Sequence, residues 1–315
     1  DKVDIAVVGS FITRQDYKTA IEKSAYALND FIGKSGIESY AEGYLRGQTG
    51  TLTVSITAGQ KVLRSYSVLP KAGNTIFLTL DRNLQEIADK SLKKQIMAVT
   101  ESEALAQGLT PAGAVIVQDV ESGAVLASSS FPNYSLSTYY EDYDILASDP
   151  GKPLWNRAVQ STYSPGSTMK PVIAIAALEE GIIEPDSTVY CTGQYEYIDQ
   201  VFACFNKTAH GLINVEQALE HSCNIFFFEM ARQLGIDKMN TYSSLFGLGA
   251  KTGIEISESQ GILAGIAYRD SLGIGWKAGE TLLAAIGQSD NSFTPLQLNN
   301  YCATIANGGT RYVPY

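Results

Sequence analysis

The chain is poor in the residues on which metal and triad chemistry usually depend. Only two histidines, His210 and His221, occur among 315 residues. That leaves little room for a Ser-His-Asp arrangement or a histidine-rich metal site. His221 reads as helix surface, and His210, in T-A-H-G, as part of a turn. Positive charge is scarce too: 23 lysines and arginines face 33 acidic residues, for a net charge of −10. No basic stripe is available to a phosphate backbone, so no nucleic-acid partner is expected. Long apolar runs are also missing, with nothing near the ~20 residues that cross a bilayer. Asp1 to Gly9 is neither a signal peptide nor a methionine start. We therefore expect a trimmed ectodomain or a fragment, with any membrane anchor outside these residues.

Cysteine is sparse, with four residues: Cys191, Cys204, Cys223 and Cys302. Cys191 and Cys204 flank the stretch C-T-G-Q-Y-E-Y-I-D-Q-V-F-A-C. In an oxidising compartment these two can form a disulfide; otherwise they are partly buried thiols, and both readings stay open. Their spacing with His210 matches no common zinc pattern, so no metal and no cofactor is expected.

What is present is a globular composition, 45% hydrophobic and 18% charged, too apolar for disorder. The length allows two domains of about 100–200 residues. Apolar residues at helical spacing (Tyr17, Ala20, Ile21, Ala25, Leu28, Phe31) predict a helix over 14–31. Gly33-Lys34-Ser35 lacks the upstream glycine of a phosphate loop, since Leu28 stands there, and reads as a turn. Residues 51–69 alternate around Ala58-Gly59-Gln60 and predict a hairpin. Pro70 to Gly73 reads as a linker, which divides the chain into 1–73 and 74–315. Asp81 is placed to cap a helix that puts Leu84, Ile87, Ala88, Leu92 and Ile96 on one face. Two strands joined by Glu-Ser-Gly follow over 113–128. Helices are predicted over 167–180, 214–234, 277–287 and 293–309.

The chemistry gathers at Y-S-P-G-S-T-M-K-P, residues 163–171. Pro165-Gly166 breaks the preceding chain, and Pro171 is tolerated only near a helix start. The two prolines thus pin a helix N-terminus at Ser167, among unpaired N–H groups that favour developing negative charge. Lys170 lies one turn on, and a buried lysine shifts readily towards neutrality and can then take the serine proton. A second S-x-x-K, Ser91 to Lys94, sits in mid-helix with no break before it and reads as an ordinary helix position.

The second element is Ser222-Cys223-Asn224, between an amphipathic run and an apolar helix. Ser222 can relay protons with Lys170, and Asn224 can hydrogen-bond a substrate amide. Ser289-Asp290-Asn291 spells a rival Ser-x-Asn, but it sits in a loop leading into a helix, and Ser222 is preferred. Lys251-Thr252-Gly253 is followed by Ile254 rather than a small residue and reads as a turn.

On these residues the chain resembles class B penicillin-binding proteins, and the likeness runs almost end to end. Y-S-P-G-S-T-M-K-P is similar to that family's nucleophile segment and S-C-N to its second motif. G-K-S-G-I-E, Y-L-R-G, L-T-L-D-x-x-L-Q, A-V-I-V-Q-D-V-E-S-G-A-V-L-A, G-L-G-A-K-T-G-I, G-Q-S-x-x-S-F-T-P-L-Q and A-N-G-G recur in family order. The resemblance implies an α+β fold: the C-terminal part of a dimerisation-type pedestal module over 1–73, then a transpeptidase domain over 74–315, expected to lack its C-terminal end, with an antiparallel sheet flanked by helices. It implies Ser167 as acylated nucleophile, Lys170 as general base, Ser222 as proton relay and Asn224 as a substrate-binding group. D-Ala-D-Ala stem peptides are the implied donors, β-lactams the covalent inhibitors, and a membrane glycan polymerase the partner, at the extracytoplasmic face of a bacterial cell membrane. It also implies a third motif, K-T-G, beyond A-N-G-G. None follows within these residues, so the chain is expected to carry an incomplete site.

Three functions remain to be separated. A transpeptidase resolves its acyl-enzyme with an amine. A β-lactamase or D,D-carboxypeptidase on the same fold uses water, but no glutamate to activate that water is identifiable, and 166 residues before Ser167 exceed what a stand-alone hydrolase is expected to carry. A non-catalytic scaffold of a wall-synthesis complex would not be acylated at all.

Overall fold

The structure, a computed structural model, describes residues 10–11, 26, 30–99 and 111–315. The helix predicted over 14–31 falls almost entirely outside the described residues. Its last residue, Phe31, is extended and belongs to strand β2 (Phe31–Ile32), paired antiparallel with β1 (Ser10–Phe11).

Two compact units are present, one of Asp1–Thr79, Ser135–Tyr139 and Glu255–Ser257, the other of Leu80–Tyr134, Tyr140–Ile254 and Glu258–Tyr315. In the first, Gly33-Lys34-Ser35 leads into two short helices, α1 (Gly36–Tyr40) and α2 (Glu42–Leu45). The hairpin expected over 51–69 is there as β3 (Thr51–Ile56) and β4 (Val62–Val68), turned through Thr57 to Lys61. All residues of both strands are exposed, so the alternation that marks the hairpin buries neither face within this unit.

The second unit is α+β. Its first helix, α3 (Arg82–Val99), starts where Asp81 Oδ1 accepts the Leu84 N–H at 2.9 Å. Only Ala88 and Leu92 of its predicted apolar face are buried, and Ile87 is exposed. α3 packs on the hairpin β5 (Gly113–Gln118) and β6 (Val125–Phe131), which turns at Glu121-Ser122-Gly123 as expected. After α4 (Tyr139–Ser148) comes the short helix α5 (Arg157–Gln160), capped by Asn156.

The core is helical. A 3-10 turn, Gly166–Met169, runs into α6 (Lys170–Glu179). α7 (Val215–Glu220) and α8 (Asn224–Leu245) follow, and α8 breaks at Gly235. Ile225, Phe226, Phe227 and Phe228 are all buried, so the start of α8 is surrounded by protein. α6 packs against α8, its Val172, Ile173, Ala176 and Ala177 lie in the same buried core as the α8 phenylalanines, and truncating one of those phenylalanines to alanine would cost about 3–5 kcal/mol. α9 (Ile266–Ser271), α10 (Ala278–Ala285) and α11 (Pro295–Ala306) complete the unit, with α10 also against α8. Two small antiparallel pairs lie between α6 and α7: β7 (Val189–Cys191) with β10 (Gly211–Ile213), and β8 (Gln194–Tyr197) with β9 (Gln200–Ala203). Among the described residues no helix is long and apolar enough to cross a membrane.

Candidate active site

Pro165 opens the 3-10 turn and Pro171 sits in the first turn of α6, so the two prolines set the helix start as expected. Ser167 is exposed at this mouth. Lys170, one turn on, is 1% exposed. The turn is held from outside: Gly166 N–H and Ser164 Oγ both donate to the Gly287 carbonyl, at 2.9 and 2.7 Å.

Opposite lies the elbow between α7 and α8. Asn214 and Gln217 cap α7 reciprocally, and the Ser222 and Cys223 N–H groups close its end on Leu219 and Ala218. Ser222 then adopts φ +51°, the left-handed region that costs a non-glycine residue about 1 kcal/mol. The elbow brings Ser222 and Asn224 to the lysine. Lys170 Nζ donates to Ser222 O (2.7 Å), Ser222 Oγ (2.9 Å) and Asn224 Oδ1 (2.8 Å). Ser222 Oγ donates onward to Ser167 Oγ at 2.9 Å. Asn224 Nδ2 donates to Ala203 O at 3.3 Å, which ties α8 to the end of β9. All four residues expected at the site are therefore together. The link from Ser167 to the amine runs through Ser222, the residue the sequence offers as a proton relay.

Burial pushes the Lys170 amine down to about 8, against the pull of Cys204 and Cys223, which favour its charge. The Phe227 ring lies 5.6 Å from Nζ and closes the apolar side. A lysine in this state can give up its proton near neutral pH and then accept another through Ser222.

The rival motifs have structural duties. Ser91 is exposed on α3. Ser289 donates to Glu280 (2.7 Å), Asp290 pairs with Arg269 (2.5 Å), and Asn291 is buried, bonding Ala264 N–H and Ala284 O. In the Lys251 triplet, Thr252 N–H, Thr252 Oγ1 and Gly253 N–H all donate to the Glu258 carboxylate at 2.8–3.0 Å. Both stretches brace loops.

Of the two readings left open for Cys191 and Cys204, the structure takes the thiols. Cys191 and Cys204 are not bonded to each other; all four cysteines are free thiols. Cys191, Cys204, His210 and Cys223 place their donor atoms within 4.8 Å of one another. His210 Nδ1 is 3.4 Å from Cys191 Sγ and 3.7 Å from Cys204 Sγ, and the Cys204 and Cys223 sulfurs are 3.9 Å apart. A zinc tetrahedron with Zn–S of about 2.3 Å and Zn–N of about 2.0 Å has edges of about 3.8 and 3.5 Å, which these three spacings approach. Burial raises the Cys223 thiol pKa, so without a cation its proton stays on. The His221 ring stacks on His210, with centroids 5.6 Å apart.

Residues 113–315 match the penicillin binding protein transpeptidase domain, and residues 5–78 match the penicillin-binding protein dimerisation domain. The chain belongs to the penicillin-binding protein transpeptidase family. Among curated relatives, peptidoglycan D,D-transpeptidase MrdA of Acinetobacter baumannii is 33% identical over 94% of this chain and 43% of its own length. MrdA of Escherichia coli K12 is 34% identical over 92% of this chain and 45% of its own length. The chain thus spans less than half the length of these curated relatives. A solved peptidoglycan synthase complex that coordinates polymerization and crosslinking contains a chain with a TM-score of 0.86 at 32% identity, over 96% of this chain and 53% of that one. PBP2 of Helicobacter pylori, in complex with MreC, gives a TM-score of 0.81 at 29% identity, over 96% of this chain and 55% of its own. The α+β fold is that of these penicillin-binding proteins.

Proposed function

We propose that this chain carries the acyl-transfer centre of a peptidoglycan D,D-transpeptidase, with Ser167 as nucleophile. The observation behind this is the unbroken path Ser167 Oγ, Ser222 Oγ, Lys170 Nζ, two links of 2.9 Å each, ending on a buried amine. With Lys170 neutral, the hydroxyls turn so that Ser167 gives its proton to Ser222 and Ser222 gives its own to Lys170. Ser167 Oγ then bonds to the penultimate D-Ala carbonyl carbon, and the oxyanion forms at a helix N-terminus, whose dipole favours negative charge. The C–N bond breaks, the departing D-Ala amine takes the proton back, and an amine of a second stem peptide displaces the ester by the reverse sequence. Asn224, held by Lys170 and Ala203, keeps a second Nδ2 proton for a substrate carbonyl.

The names of the relatives support the substrate class. β-Lactams are the expected covalent inhibitors, as acyl donors whose leaving group stays tethered. In the same reading 1–73 is a pedestal of the dimerisation type and 74–315 the transpeptidase domain. A membrane anchor outside this chain, the extracytoplasmic face, and a glycan-polymerase partner belong to it as well; the synthase complex that resembles the chain supports the last. The test is labelling of the full-length protein with a fluorescent penicillin. Label on wild type that Ser167→Ala abolishes is expected, and absence of label on wild type would overturn the proposal. Fast nitrocefin turnover would move the assignment to a hydrolase.

A further inference from the structure

The unit that bears Ser167 has a concavity of about 260 Å³ whose lining includes none of Ser167, Lys170, Ser222 and Asn224. Asp89, Ser130, Asn133, Tyr134, Trp155 and Asn156 are among its lining residues. It is smaller than the roughly 300 Å³ at which drug-sized pockets begin, so it suits a ligand of one ring. Two of its residues are aromatic and open to solvent, Trp155 at 45% and Tyr134 at 39% exposure. Trp155 Nε1 donates to Ser161 Oγ at 3.0 Å, which fixes the indole without covering it.

The polar groups here have hydrogen bonds left to make. Asp89 Oδ1 accepts from Ser129 Oγ (2.5 Å) and Gln85 Nε2 (3.1 Å), while Oδ2 has no partner among the described residues. Asn156 Oδ1 accepts from the Ala158 N–H (3.2 Å) and Ser130 Oγ (3.5 Å), which leaves Nδ2 unspent among the described residues. The Asn133 amide makes no bond there to any described residue. The cavity thus offers one anionic acceptor, two amides and two aromatic rings. A phosphate would meet the Asp89 carboxylate with no lysine or arginine in the lining to offset it. A lipid chain would strand the amides. A sugar matches: its C–H face packs on an aromatic ring, its hydroxyls donate to the carboxylate, and an N-acetyl carbonyl accepts from an amide N–H.

We propose that this cavity binds one N-acetylated sugar of the glycan strand whose stem peptides are cross-linked. The choice of strand rests on the function proposed above; the sugar chemistry rests on the lining alone. The experiment titrates full-length protein with chitotetraose, a peptide-free chain of N-acetylglucosamine, by calorimetry and by tryptophan fluorescence. Saturable binding is expected, weakened about fivefold or more in Asp89→Asn and Asn133→Ala and further in Trp155→Ala. Penicillin labelling of Ser167 should stay at the wild-type level in all three, and labelling lost from wild type would count against the transpeptidase reading alone. Asn133 is exposed, so its variant keeps the test open should Trp155→Ala fail to fold. No saturable binding, binding unchanged in Asp89→Asn and Asn133→Ala, or displacement by a sugar-free stem peptide would each overturn the proposal.

Discussion

Gly287→Ala is expected to disable Ser167, the proposed nucleophile, without touching it. A Cβ at Gly287 would lie 2.0 Å from the Gly166 carbonyl oxygen, 2.6 Å from its nitrogen and 2.7 Å from its carbonyl carbon. Ordinary contact begins at 3.4 Å, so loop and turn must part by 3.4 − 2.0 = 1.4 Å. The two hydrogen bonds that Gly287 O accepts from Gly166 and Ser164 cannot survive such a shift. Ser167 is the next residue, and a displacement of about 1 Å in a reacting group can cost about a hundredfold in rate. Backbone strain adds to this, since Gly287 has φ +71° and a side chain there costs about 1–2 kcal/mol. Gly181→Ala separates the two effects: φ is +64°, but a Cβ there meets nothing within 4 Å. Both variants should lose thermal stability. Only Gly287→Ala should lose penicillin acylation in stopped-time labelling, by about a hundredfold. A folded Gly287→Ala protein that acylates within about threefold of wild type would refute the idea that this loop sets the position of Ser167.

The remaining expectations concern the relay and the sulfur cluster. Acylation should rise about fivefold from pH 7 to pH 8 and level off above about 9, because Lys170 accepts a proton only once neutral and its pKa is lowered to about 8; a flat profile of labelling rate across this range would count against Lys170 as base. Ser222→Ala should cut acylation by about 10²–10⁴-fold. Ser289→Gly, which suits the φ of +60° at that position, should leave the rate nearly unchanged, and equal effects of the two on labelling would undo the choice between the Ser-x-Asn stretches. Adding zinc to chelator-treated protein should raise Tm, with one ion per chain by elemental analysis. Cys204→Ser should remove the rise, and an unchanged Tm in wild type would exclude a structural ion there.

Much of the site could be read from sequence because its determinants are local. Pro165 and Pro171 mark a helix start without any tertiary information, and Lys170 follows from the three-residue spacing. Ser222 was separable from Ser289 because apolar helices flank it on both sides. Ser222 as relay was legible, but the geometry that delivers it was not: the amine's reach to Ser222 depends on the α7–α8 elbow and on a serine at positive φ, which no local propensity signals. The sulfur cluster was missed for a related reason. Its members are separated by 13, 6 and 13 positions (204 − 191, 210 − 204, 223 − 210), and the β7–β10 pairing closes those gaps. The β8–β9 hairpin also went unseen, since its turn holds Ile198 at φ +56°, a place where sequence reading looks for glycine or asparagine. In α3 the periodicity was right but the burial was not, because the hairpin covers Ala88 and Leu92 and leaves Ile87 outside.

Within Ser222-Cys223-Asn224 the two outer side chains serve the lysine while the middle one turns back to Cys204. The tripeptide is a hinge pin shared by two rooms. A reagent that enlarged the Cys223 sulfur would have to move both of its neighbours, so thiol chemistry behind the wall should be felt at the serine in front of it.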